Sequence, residues 1–395
     1  MFNSSVSRLA QPTTLPDLDR PYGLPAFNSV EDAIKAYDGD DAIYALYPKR
    51  IEAAARLFLD QFPGKVLYAV KANPHPAVLK ILWASGLRGF DVASIREIDL
   101  VKAACPDAEL YLMHPVKSRR TIRHAYANGV RHFAYDCATE LGKILVETQD
   151  ASDLHLHLRL ALPKGGSASM PLDGKYGADF DEAVELLRAA RPVAAKLGVC
   201  FHVGSQCMDP ADYVRALAYV HGLLETAGVD IDSLDCGGGY PVAYPGLTPP
   251  PMQDYFARIS KAIKIFGFED LDIIGEPGRA LCGEGGSTLA RVELRKGKDL
   301  YLNEGSYGSL FDAAQCAWKY PVRLHREGEM DKALTGFRFF GPTCDSLDAM
   351  AGPFELPSDT REGDWVEICH LGAYGQALAT DFNGFQSDTT VAILA

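Results

Sequence analysis

Short apolar runs alternate with amphipathic stretches along residues 65–278. Eight of these runs have the length of strands, and the stretches between them repeat apolar residues at i, i+3 and i+4, as IREIDLVKAA does. The predicted strands are KVLYAV (65–70), GFDVAS (89–94), AELYLMHP (108–115), RHFAYD (131–136), LHLHLRLAL (154–162), GVCFHVG (198–204), DSLDCGG (232–238) and LDIIGEPG (271–278). Because every run except the last is clearly followed by a helical pattern, we predict a closed (β/α)8 barrel over residues 49–280.

The pattern changes after residue 280, where strand-like runs follow one another with turns between them. These runs are LARVELRKGK, DLYLNEG, YPVRLHR, LTGFRFFGPT, DWVEICHLG and VAILA. We predict a C-terminal antiparallel β-sandwich or β-barrel domain over residues 281–395. The run DAIYALYP (41–48) precedes the barrel, and we expect residues 1–48 to supply a flexible arm of about 20 residues and a strand that joins this β domain.

Composition and charge exclude several classes of function. The net charge of −13 disfavours nonspecific binding of nucleic acid, because affinity for phosphates depends on cationic side chains. Nine cysteines are scattered singly without CxxC spacing, which argues against a disulfide framework or zinc site and favours reduced thiols in a cytoplasm. The first residues lack the pattern of a signal peptide, and no run of about 18 apolar residues exists. We therefore predict a cytoplasmic protein without a membrane span or bound metal.

Polar residues and glycines stand at the carboxyl ends of six predicted strands, the end at which the active sites of such barrels lie. In chain order they are Lys71; Asp91, Ser94 and Glu97; Arg159; His202 and Ser205; Gly237, Gly238 and Gly239; and Glu276, Gly278 and Arg279. Because the strands of a barrel end around one mouth, we expect these groups to converge on one site.

Two of these side chains have a specific chemistry. A lysine at the end of a buried strand is costly unless it is paired or used, and we expect desolvation to lower the pKa of Lys71 and make its amine a nucleophile toward aldehydes. The alternative is a lysine at the rim whose head reaches solvent. The Glu276 carboxylate could hydrogen-bond a protonated pyridine nitrogen, or it could form a structural salt bridge to Arg279.

The glycine run and the histidine allow two interpretations each. A Gly-Gly-Gly turn over 237–239 lets backbone N–H groups approach a phosphate, and Arg279 adds a positive charge nearby; the alternative is a tight turn before Tyr240. The flat ring of His202 could stack on an aromatic ligand, or it could be a satisfied core histidine.

The set of motifs resembles the barrel-type (fold-type III) pyridoxal 5′-phosphate (PLP) decarboxylases of basic amino acids, most of all the ornithine decarboxylases. The resemblance runs from about residue 42 to the end. It implies the alanine racemase-like architecture, in which a (β/α)8 barrel is followed by an antiparallel β domain. The matching motifs are YAVKANP (68–74), FDVASIREI (90–98), GKYG (174–177), FHVGSQ (201–206), CGGGYP (236–241), GEPGR (275–279), GPTCDSLD (341–348) and LGAYGQALATDFNGF (371–385).

The resemblance implies a role for each residue around the cofactor. Lys71 would bind PLP as a Schiff base, Glu276 would pair with the pyridinium nitrogen and His202 would stack on the ring. Asp91, Glu97 and Arg159 would support the lysine and the surroundings of the ring. The residues that would hold the phosphate are Ser205, Gly237, Gly238, Gly239, Gly278, Arg279 and Tyr374.

The resemblance also implies a substrate site that two subunits share. Cys344 would return a proton to the substrate carbon after CO2 leaves, although a cysteine considered alone is more often a small buried hydrophobe. Asp345 would bind the distal ammonium of the substrate. These two residues would reach into the partner subunit's site, so we expect a homodimer. The remaining residues expected to bind the small-molecule substrate are Tyr307, Asp312 and Phe382.

The distal group of the substrate is predicted from one residue. Diaminopimelate-specific members typically carry Glu after the catalytic cysteine, whereas Asp345 here suits an ammonium. We therefore predict conversion of L-ornithine to putrescine in polyamine biosynthesis, with lysine, or both, as the alternative. Arginine is set aside because barrel-type arginine decarboxylases are expected to be much longer.

One position departs from the pattern of the ornithine decarboxylases. Those of the eukaryotic type carry an aspartate nine residues after the tyrosine of a GxYGS segment, and counting from Tyr307 gives Cys316. Either Asp312 takes this role from a shifted segment, or Asp345 binds the ammonium alone.

Other classes of protein fit the motifs less well. The resemblance implies that PLP racemases place an arginine at the pyridine nitrogen, where this chain has Glu276. Homologues without enzymatic activity lose the lysine or the cysteine that correspond to Lys71 and Cys344. A barrel enzyme for sugar phosphates would need neither Glu276 nor the adjacent pair Cys344 and Asp345.

Overall fold

The computed structural model describes residues 21–37, 39–172 and 174–395, so the arm expected over the first 20 residues lies outside the described chain. The strands are β1 Ala26–Phe27, β2 Ile43–Leu46, β3 Lys65–Ala69, β4 Gly89–Asp91, β5 Glu109–Leu112, β6 His132–Tyr135, β7 His155–Arg159, β8 Ala168–Met170, β9 Lys196–Cys200, β10 Ser205–Cys207, β11 Ser233–Asp235, β12 Asp272–Gly275, β13 Gly286–Lys296, β14 Asp299–Leu302, β15 Val322–His325, β16 Leu334–Phe340, β17 Ala349–Pro357, β18 Trp365–Cys369 and β19 Thr390–Ile393. The helices are α1 Val30–Ala36, α2 Pro48–Gln61, α3 Pro76–Ala84, α4 Ile95–Ala104, α5 Arg119–Ala127, α6 Ala138–Glu147, α7 Phe180–Ala190, α8 Ala211–Ala227, α9 Met252–Ile265, α10 Arg279–Cys282 and α11 Phe311–Gln315.

Eight parallel strands close into a barrel in the order β11-β12-β3-β4-β5-β6-β7-β9. All eight strands predicted from the apolar runs are present, so the predicted (β/α)8 barrel is confirmed. Side-chain hydrogen bonds define the start of helix α4. The Ser94 side chain accepts a hydrogen bond from the Glu97 N–H at 3.2 Å, and the Glu97 carboxylate accepts one from the Ala93 N–H at 2.6 Å. This reciprocal capping begins α4 shortly after β4 and positions the short loop that follows Asp91.

A packed layer closes the interior of the barrel below its mouth. Successive residues of a strand face opposite sides, so alternate side chains fill the barrel and the others contact the surrounding helices. The buried interior layer consists of Leu67, Tyr111, Met113, Ala134, Cys200 and Ile274. The polar groups at the carboxyl ends of the strands therefore lie on the mouth side of this apolar cluster.

The second region is a nine-stranded sheet with its own apolar core. Most of its pairings are antiparallel, as predicted, and parallel pairs join β1 to β19, β19 to β2 and β14 to β16. The early strand β2 pairs antiparallel with β13 and so joins the β domain. Strand β17 was not predicted, because its Gly352-Pro353 pair resembles a turn in the sequence.

Two boundaries in the barrel also differ from expectation. The amphipathic stretch DEAVELLRAARPVAAK (181–196) predicts a helix that continues beyond residue 190, but α7 ends at Ala190, because Pro192 follows within a 3-10 turn. Strand β9 begins earlier than predicted, at Lys196. Strands β8 and β10 form a small antiparallel pair above the barrel. No helix within the described ranges is long and apolar enough to cross a membrane.

Candidate active site

A cavity of about 550 Å³ opens at the carboxyl ends of the barrel strands, and we call it the mouth cavity. Residues from several strand ends line it, together with Tyr374 from the segment after β18. The predicted cofactor residues among its lining are Lys71, Asp91, Arg159, His202, Ser205, Gly238, Gly239, Glu276, Gly278, Arg279 and Tyr374. Gly237 and Glu97, which were also expected near the cofactor, are not among the residues that line the cavity. The structure thus brings together groups that are about 300 residues apart in sequence, such as Lys71 and Tyr374.

Lys71 extends into the mouth cavity from a 3-10 turn that directly follows β3. Its Nζ lies 3.3 Å from Oδ2 of Asp91, and the exposed fractions of the two side chains are 51% and 7%. The negative charge of Asp91 raises the pKa of Lys71 and outweighs the lowering by burial. The expected lowering of this pKa is therefore wrong for the protein without cofactor.

Glu276 lies in the floor of the mouth cavity, directly after β12. It is 5% exposed, and its Oε1 has no hydrogen-bond partner among the described residues. Burial, and next the charge of Asp235, raises the pKa of Glu276 well above its usual range. The alternative of a salt bridge from Glu276 to Arg279 is not realised, because Arg279 pairs with Asp312 instead.

The glycine turn after β11 presents bare backbone to the cavity. Gly239 has φ +103°, and a Cβ there would lie 2.4 Å from the Gly204 carbonyl oxygen. A Cβ on Gly238 would lie 2.7 Å from the carbonyl oxygen of Glu276, and one on Gly237 would lie 2.1 Å from that of Phe201. Any side chain in this turn would collide with neighbouring backbone, so all three glycines are required for the close approach.

Arg279 begins the short helix α10 at the same mouth, where it is buried. Its Nη2 lies 3.0 Å from Oδ2 of Asp312, and its Nη1 donates to the Tyr244 hydroxyl at 3.1 Å. The guanidinium also lies 4.9 Å from the centre of the Tyr374 ring, and its Nε has no partner in the described chain. Asp312 was expected to bind substrate, but its carboxylate is committed to this arginine.

His202 faces the mouth cavity as a neutral ring. Its Nδ1 accepts a hydrogen bond from the Gly204 N–H at 2.9 Å, which fixes the orientation of the ring. Burial, and next the positive charges of Arg159 and Lys71, holds the pKa of His202 well below its usual range. A neutral, flat side chain at this position can cover the face of an aromatic ligand.

Tyr374 connects the β domain to the turn that carries Lys71. Its backbone N–H donates to the Ala72 carbonyl at 2.8 Å, and Nδ2 of Asn73 donates to the Gly372 carbonyl at the same distance. The backbone of Tyr374 has φ +58°, an unfavourable conformation for a residue with a side chain. The two hydrogen bonds hold this conformation and keep the ring at the mouth cavity.

The other predicted site residues form a second group on the β domain. We call Tyr307, Cys344, Asp345 and Phe382 the loop cluster. The Tyr307 hydroxyl donates to Oδ2 of Asp345 at 2.5 Å, and the rings of Tyr307 and Phe382 lie 4.8 Å apart. Cys344 is exposed, and its N–H donates to Oδ1 of Asn383 at 3.1 Å. No member of the loop cluster lines the mouth cavity of the same chain.

Sequence reasoning missed three residues at this site. His114 and Tyr176 line the mouth cavity with ring centres 5.4 Å apart. Asp235 lies directly below it, fully buried at the end of β11. The signal for Asp235 was present, because it stands two residues before Gly237 and so points into the barrel as the glycine turn does.

Residues 48–283 match the family model of the pyridoxal-dependent decarboxylases, pyridoxal binding domain, which is more than half of the chain. The chain belongs to this family. Its relatives include the lysine/ornithine decarboxylase of Selenomonas ruminantium, which is 32% identical over 82% of each chain. Antizyme inhibitor 2 of Xenopus laevis is also 32% identical, over 83% of this chain and 76% of its own.

A solved structure of similar architecture is the arginine decarboxylase of Paramecium bursaria Chlorella virus bound to agmatine. It has a TM-score of 0.81 and 28% identity, and the match covers 92% of this chain and 99% of that one. This coverage corrects the expectation that barrel-type arginine decarboxylases are always much longer, so length does not exclude arginine. The family is therefore that of the basic amino acid decarboxylases, and the comparisons leave the individual substrate open.

The mouth cavity fits the PLP that this family uses. Oε1 of Glu276 lacks a donor, which a pyridinium N–H would supply. Nε of Arg279 lacks an acceptor, which a phosphate oxygen would supply near the bare glycine turn. Lys71 is the amine in the lining that is positioned at the end of a barrel strand.

Proposed function

We propose that this protein decarboxylates a basic L-amino acid with PLP, and that its substrate is L-ornithine, which it converts to putrescine for polyamine synthesis in the cytoplasm. The observation that carries the proposal is the convergence of Lys71, Glu276 and Arg279 on one cavity. Lysine, alone or beside ornithine, is the second candidate, because the relative from Selenomonas ruminantium is named for both substrates.

Bound PLP supplies a ring that withdraws electrons from the α-carbon of the amino acid, which allows the carboxylate to leave as CO2. Lys71 would hold the cofactor through Nζ. Glu276 would accept the hydrogen bond of the ring nitrogen, and His202 would cover one face of the ring. The groups that would hold the phosphate are Ser205, Gly237, Gly238, Gly239, Gly278, Arg279 and Tyr374.

We further propose that the active unit is a homodimer in which the loop cluster of one subunit completes the mouth cavity of the other. The loop cluster lies outside the cavity of its own chain, and it includes or adjoins exposed apolar side chains: its member Phe382 is 42% exposed, and nearby in sequence Leu347 is 72% and Leu378 40% exposed. A second copy would cover these groups and bring Cys344 to the substrate, where its thiol returns a proton to the α-carbon.

Asp345 supplies the charge that binds the distal ammonium. Hydrogen bonds from the Leu347 N–H and from the Tyr307 hydroxyl lower the pKa of Asp345, so it is ionised near neutral pH. The sequence left two possibilities, in which either Asp312 takes the role of the acid expected at position 316 or Asp345 binds the ammonium alone. Because the Asp312 carboxylate is paired with Arg279, we favour Asp345 alone. A pocket that binds the distal ammonium through a single carboxylate discriminates weakly between substrates whose side chains differ by one methylene.

Two experiments test these proposals. Purified protein should carry the yellow absorbance of lysine-bound PLP, and borohydride should bleach it and leave the label on Lys71; colourless protein that takes up no PLP would contradict the cofactor proposal. Amine products should then be identified with L-ornithine, L-lysine, L-arginine and meso-diaminopimelate offered together. Putrescine as the main product supports ornithine, whereas agmatine as the main product would overturn both proposed substrates.

The shared site is tested by complementation. Two inactive variants, Lys71→Ala and Cys344→Ala, should recover activity when they are mixed, because half of the sites in a mixed dimer hold neither change. Random exchange of subunits would restore about a quarter of the wild-type activity. No recovery under conditions that exchange subunits would show that each chain completes its own site.

A further inference from the structure

Two buried carboxyl groups lie side by side in the floor of the mouth cavity. Asp235 ends β11 and Glu276 follows β12, and these strands are hydrogen-bonded neighbours in the barrel. The exposed fractions of the two residues are 0% and 5%, and their carboxyl groups lie close enough to interact with each other. The mechanism proposed above uses Glu276 and assigns nothing to Asp235.

Backbone contacts connect the two acids to the glycine turn as well. Oδ1 of Asp235 accepts from the Gly237 N–H at 2.8 Å, and the Gly237 carbonyl accepts from the Glu276 N–H at 2.8 Å. Neither Oδ2 of Asp235 nor Oε1 of Glu276 accepts a hydrogen bond from an N–H or hydroxyl group within the described residues. Asp235 therefore touches both the first glycine of the turn and the side chain of Glu276.

A hydrogen bond between two carboxyl groups requires one proton, because an ionised carboxylate can only accept. The charges around the pair agree with a single shared proton. Lys71 and Arg159 supply two positive charges near the floor, and Asp91 with one ionised member of the pair supplies two negative charges. The titratable groups that face the pair are Lys71, Asp91, Tyr111, Arg159, Cys200, Cys236 and Tyr240.

We propose that Asp235 and Glu276 share one proton in the protein without cofactor, and that Asp235 is the positioning residue that orients Glu276 toward the ring nitrogen. This inference rests on the proposed function, since it takes Glu276 as the partner of that nitrogen. The proton lies on Glu276 and Asp235 accepts it, which agrees with burial raising the pKa of Asp235 only to about 6 and that of Glu276 well above its usual range. The free Oε1 of Glu276 is then held ready for the cofactor while Asp235 keeps the glycine turn in place.

Infrared difference spectra of the cofactor-free protein near neutral pH test the shared proton directly. The wild type should show the carbonyl band of a buried carboxylic acid that disappears in Glu276→Gln. The band should also disappear in Asp235→Asn, since an amide N–H can donate to Glu276 and leave it ionised. Bands of other buried acids, such as Glu304, should stay unchanged in both variants. A wild type without this band, or an Asp235→Asn variant that keeps it, would overturn the proposal.

Cofactor affinity separates positioning from a merely structural role. Asn at position 235 retains an acceptor for the Gly237 N–H and a donor to Glu276, whereas Leu retains neither. Titration of the cofactor-free variants with PLP should show Asp235→Asn close to wild type and Asp235→Leu weakened at least about tenfold, the effect of one lost hydrogen bond to a charged group. Equal weakening in both variants, or in neither, would remove Asp235 from this role.

Failure of the proposed function and failure of the shared proton give different results. If the wild type takes up no PLP, the proposed function fails, and the infrared band still reports whether the two acids share a proton. If the wild type binds PLP and the band is absent, only the shared proton fails. Circular dichroism of Asp235→Leu checks that the barrel remains folded, so that a weak affinity is assigned to the site.

Discussion

The mouth cavity and the loop cluster contain the two halves of the proposed site, and they are built in opposite ways. At the mouth cavity, Arg279 pairs with Asp312 of the β domain and the His202 ring accepts from the Gly204 N–H, so contacts within one chain hold both side chains. In the loop cluster, Cys344 is exposed, and Asp345 is held by Tyr307 and its own turn. Contacts within one chain preorganise the mouth cavity without a second subunit, whereas the exposed groups of the loop cluster need a second surface to cover them. The comparison agrees with the proposed homodimer, in which one chain would hold the cofactor and the loop cluster of the second chain would complete the substrate site.

The largest effect should come from the mouth cavity. Lys71→Ala removes the amine that holds the cofactor, so activity should fall at least about a thousandfold and the yellow absorbance should vanish. Lys65→Ala is the matched control, because Lys65 lies at the opposite end of the same strand and its ammonium pairs with Glu109. Absorbance spectra and amine production provide the measurements. A yellow and active Lys71→Ala protein would show that another amine holds the cofactor.

Cys344→Ala tests whether the loop cluster acts in chemistry and not in cofactor binding. Loss of a proton donor should lower kcat about a hundredfold, while the PLP absorbance stays at the wild-type level. Cys316→Ala is the control, since Cys316 stands near Asp312 and outside the loop cluster. Loss of PLP from Cys344→Ala would contradict the separation of the two halves.

A smaller effect is expected on KM when the residue that binds the distal ammonium is changed. Asp345→Asn removes the charge and should raise KM for the diamino acid about tenfold to a hundredfold, as expected for a hydrogen bond between charged groups. Asp312→Asn, measured at saturating PLP, should leave KM nearly unchanged, because this carboxylate already pairs with Arg279. Steady-state kinetics of both variants decides between the two acids. A KM increase in Asp312→Asn alone would reverse the assignment.

The smallest effect concerns the scaffold of the β domain, away from both halves. The ring of His325 donates from Nδ1 to Glu31 at 2.9 Å and from Nε2 to Glu367 at 3.1 Å. Burial lowers the pKa of His325, but these two contacts outweigh burial and raise this pKa above its usual value. Burial opposes the ionisation of Glu367, but its hydrogen bonds, first that from His325, lower the pKa of Glu367 to about 2. The stabilisation by His325 is fully present below its unfolded pKa and is lost as pH rises through the folded one. The stabilisation by Glu367 is present above its unfolded pKa and is lost as pH falls through its folded pKa.

His325→Gln should therefore lower Tm by about 2 °C near pH 6 and by less near pH 9. Thermal melts of the cofactor-free protein measure this difference, and the PLP absorbance of the variant should match the wild type. A larger loss of Tm near pH 9 would show that the histidine stabilises the fold through packing and not through its charge.

Local patterns explain why much of the fold could be predicted. Apolar runs of strand length predicted each of the eight barrel strands, and the positions of Asp91, Arg159 and Glu276 at the carboxyl ends of these runs predicted that they meet at one mouth. The pKa of Lys71 was predicted in the wrong direction, because the effect of its neighbour Asp91 depends on the distance between two strands. Strand β17 was missed because Gly and Pro resemble a turn when their strand partners are unknown.

The sequence by itself determined which residues gather at the barrel mouth, because strand direction and glycine conformation are properties of short segments. Only the tertiary structure decided that Asp312 pairs with Arg279, that Asp235 lies against Glu276 and that the loop cluster stays outside its own cavity. Each of these outcomes depends on which distant groups approach within a few ångströms. Such distances result from the packing of whole strands and domains, and a buried charge pairs with whichever partner that packing brings into reach.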